Sequence, residues 1–170
     1  MMPDDTDWNL VVQAQIAIGW IFNSATSVDP NLKASVASYR KKNENCELVN
    51  PGLLMSYAYI VFVYPRETAI SGIDEANLDF SAFNVSAGDV TIRRIRNAIA
   101  HGRFSFSSDA QLTLRDNNRN KTDPFEASIS AGDFGNFIQS FAGLAKRTYF
   151  DGNQDSANNT MQVDARTSRH

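Results

Sequence analysis

The sequence predicts a mostly α-helical domain with a small β-hairpin. Apolar residues recur at every third or fourth position in three segments of the chain, which is the spacing of amphipathic helices. Two of these segments begin with a serine followed three residues later by an aspartate, a capping pattern that starts helices. Directly after the second segment the apolar spacing changes to every second residue, which predicts two short strands.

The first part of the chain is predicted to be mainly helical. Residues 5–27 begin with acidic side chains, which favour a helix N-terminus, and their apolar residues recur at helical intervals. These apolar residues are Leu10, Val11, Ala14, Ile18, Ile21 and Phe22. Residues 30–40 predict a more polar helix or a loop. Residues 51–65 begin and end with proline and are apolar on all sides, so they fit a buried strand and a buried helix equally well.

A second amphipathic helix is predicted to end near position 101, after an irregular connection over residues 66–85. Its apolar stripe consists of Ile92, Ile95 and Ile99, and a second stripe consists of Arg93, Asn97 and His101. Ser86 and Asp89 form the capping pattern at its start, and Gly102 stands where a left-handed residue often follows a helix. We expect the small residues Ala98 and Ala100 to allow close approach of a second helix on the side away from the core.

The end of this helix brings an arginine, an asparagine and a histidine together. Arg96 lies between the two stripes, Asn97 follows it, and His101 is one of two histidines in the chain. A guanidinium can bind phosphate, and an imidazole can transfer a proton near neutral pH. This combination suits cleavage of an RNA phosphodiester without a metal. The alternative role is structural, because cations near a helix C-terminus interact favourably with its last carbonyl groups.

The rest of the domain is predicted to be a hairpin and a final helix. Residues 103–107 and 111–115 alternate apolar and polar side chains around a tight turn, and residues 125–129 are a candidate third strand. We interpret residues 116–123 between them as a solvated polar turn. Ser130 and Asp133 repeat the capping pattern of a last helix. The apolar face of that helix consists of Phe134, Phe137, Ile138, Phe141 and Leu144.

Length and composition predict one domain over residues 1–150 and a disordered tail over residues 151–170. A chain of 170 residues with 42% hydrophobic residues can bury one core, whereas the last 20 residues are polar and have few apolar side chains. The single Cys46 excludes an intrachain disulfide. Because the N-terminus is acidic and no apolar stretch reaches the roughly 20 residues of a membrane span, we expect a cytoplasmic protein without membrane contact.

The charge distribution favours a confined nucleic-acid site over general coating of RNA. The net charge is −3, which opposes non-specific binding to nucleic acid. Residues 90–108, however, contain no acid and hold four arginines, which are Arg93, Arg94, Arg96 and Arg103. The alternative is an ordinary solvated helix face. The chain has no glycine-rich phosphate loop, no recognisable serine or cysteine nucleophile and no pair of histidines at metal spacing, so we expect neither a metal nor a cofactor.

The residues Arg96-Asn97-x-x-x-His101, at the end of an amphipathic helix, resemble the signature of HEPN domains. Residues 53–67, which end in Tyr64-Pro65-Arg66-Glu67, resemble a plasmid-borne HEPN subfamily. The resemblance extends over residues 5–150, although its specific part is six residues long. It implies a helical, dimeric domain and favours the helical interpretation of residues 51–65.

The resemblance also implies a function. Many HEPN domains are metal-independent endoribonucleases of toxin–antitoxin, anti-phage defence and RNA-processing systems. Carried over, Arg96 and His101 would be the catalytic pair, with both protomers of a homodimer contributing to one cleft. Asn97, Arg93 and Arg103 are the second group of candidates, for orienting His101 and binding phosphate. An antitoxin protein would be a further partner. The alternative is a catalytically silent dimeric module that binds RNA or a partner protein.

One departure from the family pattern concerns regulation. HEPN toxins that work with a nucleotidyltransferase antitoxin often have a tyrosine two residues after the histidine. This chain has Arg103 at that position, followed by Phe104. The sequence therefore does not predict control by modification of that tyrosine.

Overall fold

The computed structural model describes residues 5–65, 72–117 and 122–148, with side chains from residue 10 onward. Within these ranges the elements in chain order are α1 (Asp5–Thr26), α2 (Pro30–Lys42), α3 (Pro51–Ala58), β1 (Asn84–Ala87), α4 (Ile92–Ala100), β2 (Phe104–Phe106), β3 (Gln111–Asn117), β4 (Pro124–Ser130) and α5 (Ala131–Lys146). Helix α3 continues as a π-helical segment, Tyr59–Val63, and a short 3-10 turn spans Glu75–Asn77. The fold is mostly helical, as predicted.

The first three helices begin and end close to the predicted positions. Helix α2 is a helix rather than a loop, because the Asp29 carboxylate accepts hydrogen bonds from the backbone N–H groups of Asn31 and Leu32. Asn50 caps α3 in the same way, since its Oδ1 accepts from the Leu53 N–H at 3.0 Å. The helical interpretation of residues 51–65 is therefore confirmed within the structure.

Helix α3 and its π-helical continuation supply part of the core. Phe62, in the π-helical segment, is fully buried, and its ring packs against three phenylalanine rings of α5 at centroid distances of 4.6 to 6.5 Å. These rings are Phe134, Phe137 and Phe141. The predicted apolar face of α5 is buried throughout, and Ser130 caps that helix through the Asp133 N–H, as predicted.

Helix α1 is less buried than its spacing predicts. Val11 is buried, and Ala14 and Ile18 pack at the edge of the core. Phe22, however, is exposed, as is Leu10. The predicted helix is therefore confirmed, but these two apolar residues do not join the core.

The sheet has four antiparallel strands in the order β1-β4-β3-β2. Strands β2 and β3 form a hairpin, with Phe104 opposite Leu114, and β3 pairs with β4 from Gln111 opposite Ser130 to Asn117 opposite Pro124. Alternate residues of the two central strands face the helices and are buried. The apolar ones are Leu112, Leu114, Phe125, Ala127 and Ile129.

Strand β1 overlaps the last two residues of the irregular connection predicted over residues 66–85, whose described part is otherwise irregular, and it contradicts the helix cap predicted at residue 86. Its residue Asn84 lies opposite Ser128 of β4, and Ser86 Oγ donates to the Glu126 carbonyl oxygen at 3.2 Å. Because the partner strand lies about 40 residues later in the chain, the local sequence of β1 gives no pattern that predicts the pairing. The cap of α4 is instead Thr91, whose Oγ1 accepts from the Arg94 N–H at 3.3 Å.

Some predictions concern segments that lie outside the described residues. These are the domain boundary at residue 150, the tail over residues 151–170, and the part of the plasmid-subfamily resemblance beyond Pro65. Among the helices that the structure does describe, none combines the length and apolarity that crossing a membrane requires.

Candidate functional site

Helix α4 is held in place by its apolar stripe. Ile92, Ile95 and Ile99 are 1%, 0% and 4% exposed, which confirms the predicted stripe. They pack against the π-helical segment and strand β3. Ala98 is also fully buried, so its predicted place at a helix–helix contact with a second copy is wrong. Ala100 is exposed and stays available for such a contact.

The end of α4 is fixed by backbone hydrogen bonds around His101. Gly102 has a φ of +62°, as predicted for the residue after the helix. Its N–H donates to the Ile99 carbonyl oxygen at 3.1 Å, and the Arg103 N–H donates to the Ala98 carbonyl oxygen at 2.8 Å. The Arg103 carbonyl oxygen in turn accepts from the Arg115 N–H at 2.9 Å. The chain therefore passes from helix to sheet without a loose segment, and His101 lies at that junction.

The two predicted catalytic side chains are free of protein partners within the described part of the chain. His101 is exposed, and its ring makes no hydrogen bond or ion pair with any described residue. Arg96 is half-buried, and its Nε is buried without a hydrogen-bond partner among those residues. A buried guanidinium N–H without a partner is costly unless a ligand occupies it.

Arg93, Arg94, Arg96 and Arg103 form the basic patch of the motif region, and two of these arginines form ion pairs with carboxylates. Arg94 forms an ion pair with Asp123 and lies over the Phe125 ring at 5.8 Å from its centroid. Arg103 Nη1 is 3.0 Å from Asp116 Oδ1, which leaves only part of its charge available. Arg93 is exposed and, like Arg96, has no carboxylate partner among the residues that the structure covers. The uncommitted positive charge of α4 thus comes from Arg93 and Arg96.

The side chain of Asn97, predicted to orient the imidazole, makes no hydrogen bond to the His101 ring, although its backbone carbonyl oxygen accepts from the His101 N–H. Its Nδ2 donates to Asp116 Oδ2 at 3.2 Å, so its partner is a strand residue instead. The geometric reason is that Asn97 faces β3, which packs against α4, whereas the His101 ring faces solvent. Any effect of the Asn97 side chain on the imidazole is therefore indirect.

Asp116 is the site residue that the sequence prediction missed. Residues 116–123 were expected to form a solvated turn, but Asp116 ends the inward-facing row of β3 after Leu112 and Leu114, and its side chain is 8% exposed. The missed signal was available, because the alternation of β3 continues through residue 116 and places this carboxylate on the helix-covered face.

Arg96 and His101 do not face each other on one helix. Five residues on an α-helix correspond to a rotation of about 140°, whereas neighbours on one face are three or four residues apart. Ideal helix geometry therefore places Arg96 and the C-cap residue His101 on different sides of α4.

The remaining features of the structure lie away from this motif. An apolar groove of about 1040 Å³ lies between α1, α2 and the start of α3, and no motif residue lines it.

Tyr57 is buried in the core, and burial raises the pKa of its hydroxyl to about 12, so this group stays protonated near neutral pH. The described residues contain no group of three histidine, cysteine or acidic side chains that could hold a metal ion.

The comparison with protein families supports the resemblance that the motif predicts. The family model HEPN pEK499 p136 matches residues 2–151 of the chain. The match includes α4 and the whole of the arginine–asparagine–histidine motif. No curated protein and no solved structure matches the chain. The predicted resemblance to a plasmid-associated HEPN family is thus confirmed.

Proposed function

The chain belongs to the HEPN family described as HEPN pEK499 p136, and we propose that it cleaves RNA without a metal ion. Membership in this family supports a nuclease or an RNA-binding module. One observation carries the choice of a nuclease. Arg96 and His101 have no protein partner among the described residues, whereas the neighbouring Arg94 and Arg103 are both paired with carboxylates.

The proposed reaction is attack of a ribose 2′-OH on the adjacent phosphorus. The new bond joins the 2′ oxygen to phosphorus, and the bond from phosphorus to the 5′ oxygen breaks. An imidazole accepts the 2′-OH proton as general base, and an imidazolium gives a proton to the departing 5′ oxygen as general acid. Arg96 stabilises the negative charge that develops on the phosphoryl oxygens. The products are a 2′,3′-cyclic phosphate and a 5′-OH.

The second group of candidate residues takes supporting roles in this proposal. Arg93 is exposed one helical turn before Asn97, and it would bind a neighbouring phosphate. Arg103 shares its charge with Asp116, so it would contribute less to phosphate binding. The Asn97 side chain would act through Asp116, because it makes no hydrogen bond to the His101 ring.

A homodimer would bring the separated catalytic side chains together. Because Arg96 and His101 of one helix point about 140° apart, a two-fold pair of α4 helices can place Arg96 of one protomer near His101 of its partner. Such a pair also supplies two imidazoles, one for each proton transfer, and doubles the basic patch. We therefore propose a symmetric dimer with the α4 helices near its axis, controlled by an antitoxin protein if it acts as a toxin.

The exposed residue Ala100 provides a test of the dimer. Ala100→Trp is expected to lower the dimer fraction and the rate of RNA cleavage together, because the added indole blocks close approach of two α4 helices. Sedimentation equilibrium at micromolar concentration measures the first quantity, and circular dichroism checks that the fold is kept. Ala37→Trp, at an exposed position of α2, is the matched control and should change neither quantity. A monomeric wild-type protein that cleaves RNA at full rate would contradict the shared site.

The alternative is a catalytically silent HEPN module that binds RNA or a partner protein. One observation favours it: the His101 ring lacks an orienting hydrogen bond among the described residues. Catalytic imidazoles usually have a partner that fixes the ring and its tautomer. A bound RNA or a second protomer would have to supply that partner in the nuclease.

Cleavage of matched substrates distinguishes the two functions. We expect the protein to cleave a single-stranded RNA and to leave DNA of the same sequence intact, because DNA has no 2′-OH. Excess EDTA should not lower the rate, and the fragments should carry 2′,3′-cyclic phosphate and 5′-OH ends by mass spectrometry. Binding of RNA without cleavage would support the silent module. Complete loss of cleavage in EDTA, or fragments with 5′-phosphate ends, would contradict the proposed reaction.

A further inference from the structure

Asp116 holds the chain on both sides of His101. Its Oδ2 accepts from Asn97 Nδ2 at 3.2 Å, and its Oδ1 accepts from Arg103 Nη1 at 3.0 Å. Asn97 lies one helical turn before His101, and Arg103 lies two residues after it. We infer that Asp116 is a positioning residue for His101, which it does not touch. This inference rests on the proposed nuclease function.

The hydrogen bonds around Asp116 form a closed arrangement that contains the histidine. The Asn97 carbonyl oxygen accepts from the His101 N–H at 3.0 Å, so the helical turn that carries the histidine begins at the residue that Asp116 binds. On the other side, the Arg103 carbonyl oxygen accepts from the Arg115 N–H, next to Asp116 on β3. One carboxylate therefore ties both ends of residues 97–103 to the same strand.

This indirect contact matters because the His101 side chain has no partner of its own within the described residues. The position of the imidazole is then set by where the backbone places its Cα and Cβ. A displacement of that backbone by about 1 Å can lower a catalytic rate on the order of 10²-fold. Asp116 contributes to that placement through Asn97 and Arg103, in addition to the backbone hydrogen bonds at the end of α4.

A carboxylate is an unexpected residue at this place in the fold. The two preceding inward positions of β3 hold leucines, and both are fully buried. An acid at the third position must be removed from water, and it needs both hydrogen-bond donors to offset that cost. A leucine there would fill the space but would leave Asn97 without its partner. The carboxylate also offsets the charge of Arg103, so Arg93 and Arg96 remain the uncommitted cations of the motif region.

The test replaces Asp116 with asparagine, which has nearly the same shape but only one acceptor oxygen. Its amide group would face either the Asn97 amide or the Arg103 guanidinium with another donor, so one of the two links is lost. We expect the kcat of RNA cleavage to fall on the order of 10- to 100-fold with little change in KM, because the catalytic group moves while phosphate binding is kept.

A second measurement does not depend on activity. The chain has two histidines, His101 and His170, so a His170→Gln background gives a single imidazole signal in ¹H–¹³C NMR spectra. Asp116→Asn is expected to shift or broaden that signal. The matched control is Asp123→Asn, which removes the carboxylate that pairs with Arg94 of α4 but is 59% exposed. This control should leave both the imidazole signal and kcat unchanged.

The two measurements separate the inference from the proposed function. An unchanged imidazole signal and an unchanged kcat in Asp116→Asn would overturn the positioning role, even if the wild-type protein cleaves RNA. A wild-type protein that never cleaves RNA would overturn the nuclease function, and the NMR result would still decide whether Asp116 positions His101. If Asp116→Asn does not fold, Arg103→Met breaks one of the two links from the exposed side and should shift the signal in a smaller degree; no shift would contradict the inference.

Discussion

Replacing His101 or Arg96 with alanine is expected to lower the rate of RNA cleavage about 10²- to 10⁴-fold, the usual contribution of a positioned acid, base or charge-stabilising group. His101 is exposed, so its truncation leaves no cavity and should change the free energy of unfolding by less than about 0.5 kcal/mol. Arg96 is half-buried, but it makes no hydrogen bond through its Nε that the substitution would break. Both variants should therefore lose cleavage activity while their stability stays close to that of the wild type.

Further substitutions assign the roles within this pair. Arg96→Lys keeps the positive charge but loses the planar fork that binds two phosphate oxygens, so we expect it to recover only part of the lost rate. Arg93→Ala should mainly raise KM, because Arg93 is proposed to bind substrate and not to stabilise the reacting group. Single-turnover rates and KM on one RNA substrate, with thermal denaturation of each variant, make these comparisons.

The control for these variants is a cation that lies outside the motif. Lys33→Ala removes an exposed positive charge from α2 and should leave both kcat and KM as in the wild type. Full activity of either His101→Ala or Arg96→Ala would remove that residue from the mechanism. A similar loss in Lys33→Ala would show that only the overall charge of the protein matters.

The sequence predicts those parts of the fold that depend on neighbouring residues. The apolar stripes of α4 and α5, the Ser130 cap and the left-handed Gly102 all follow from residues within about four positions of one another. Residues 51–65 were ambiguous, because a buried strand and a buried helix are both apolar on all sides. In the helical form Phe62 packs against phenylalanine rings of α5. Those rings lie more than 70 residues later, so no local sequence pattern predicts this contact.

The parts that were missed depend on partners far along the chain. Strand β1 exists because it pairs with β4, and the same pairing takes Ser86 away from the helix start that its sequence pattern predicted. The local alternation of β3 indicates that Asp116 faces inward, but its partners Asn97 and Arg103, which precede it by 19 and 13 residues, leave no local pattern. The motif was therefore found from the sequence, but the carboxylate that binds Asn97 and Arg103 was not.

The two glycines that flank α4 provide a stability prediction of large size. Gly88 and Gly102 both have positive φ, at +68° and +62°, where a side chain costs about 1 to 2 kcal/mol. They differ in the space around them. A Cβ at residue 88 would lie 2.6 Å from the Pro124 carbonyl oxygen, whereas one at residue 102 would meet no atom within 4 Å.

Gly88→Ala is therefore expected to be much more destabilising than Gly102→Ala. The neighbour at residue 88 is backbone of β4, which cannot move without disturbing its pairing with β1 and the chain that leads into the Thr91 cap. Adding the cost of an overpacked contact, about 1 to 3 kcal/mol, to the cost of the positive φ gives a loss of about 2 to 5 kcal/mol. Gly102→Ala should lower the free energy of unfolding only by the cost of the positive φ, about 1 to 2 kcal/mol.

Urea denaturation of the two variants and the wild type measures these differences, provided that the slope of the transition is unchanged. Equal losses in the two variants would show that the contact at Pro124 yields easily, and that β1 is loosely attached to the sheet. The order of the two variants should reverse in the cleavage assay at a temperature where both are folded. Gly102 directly follows His101, so a strained residue there would displace the proposed catalytic histidine, whereas Gly88 lies at the opposite end of α4 and should affect stability alone.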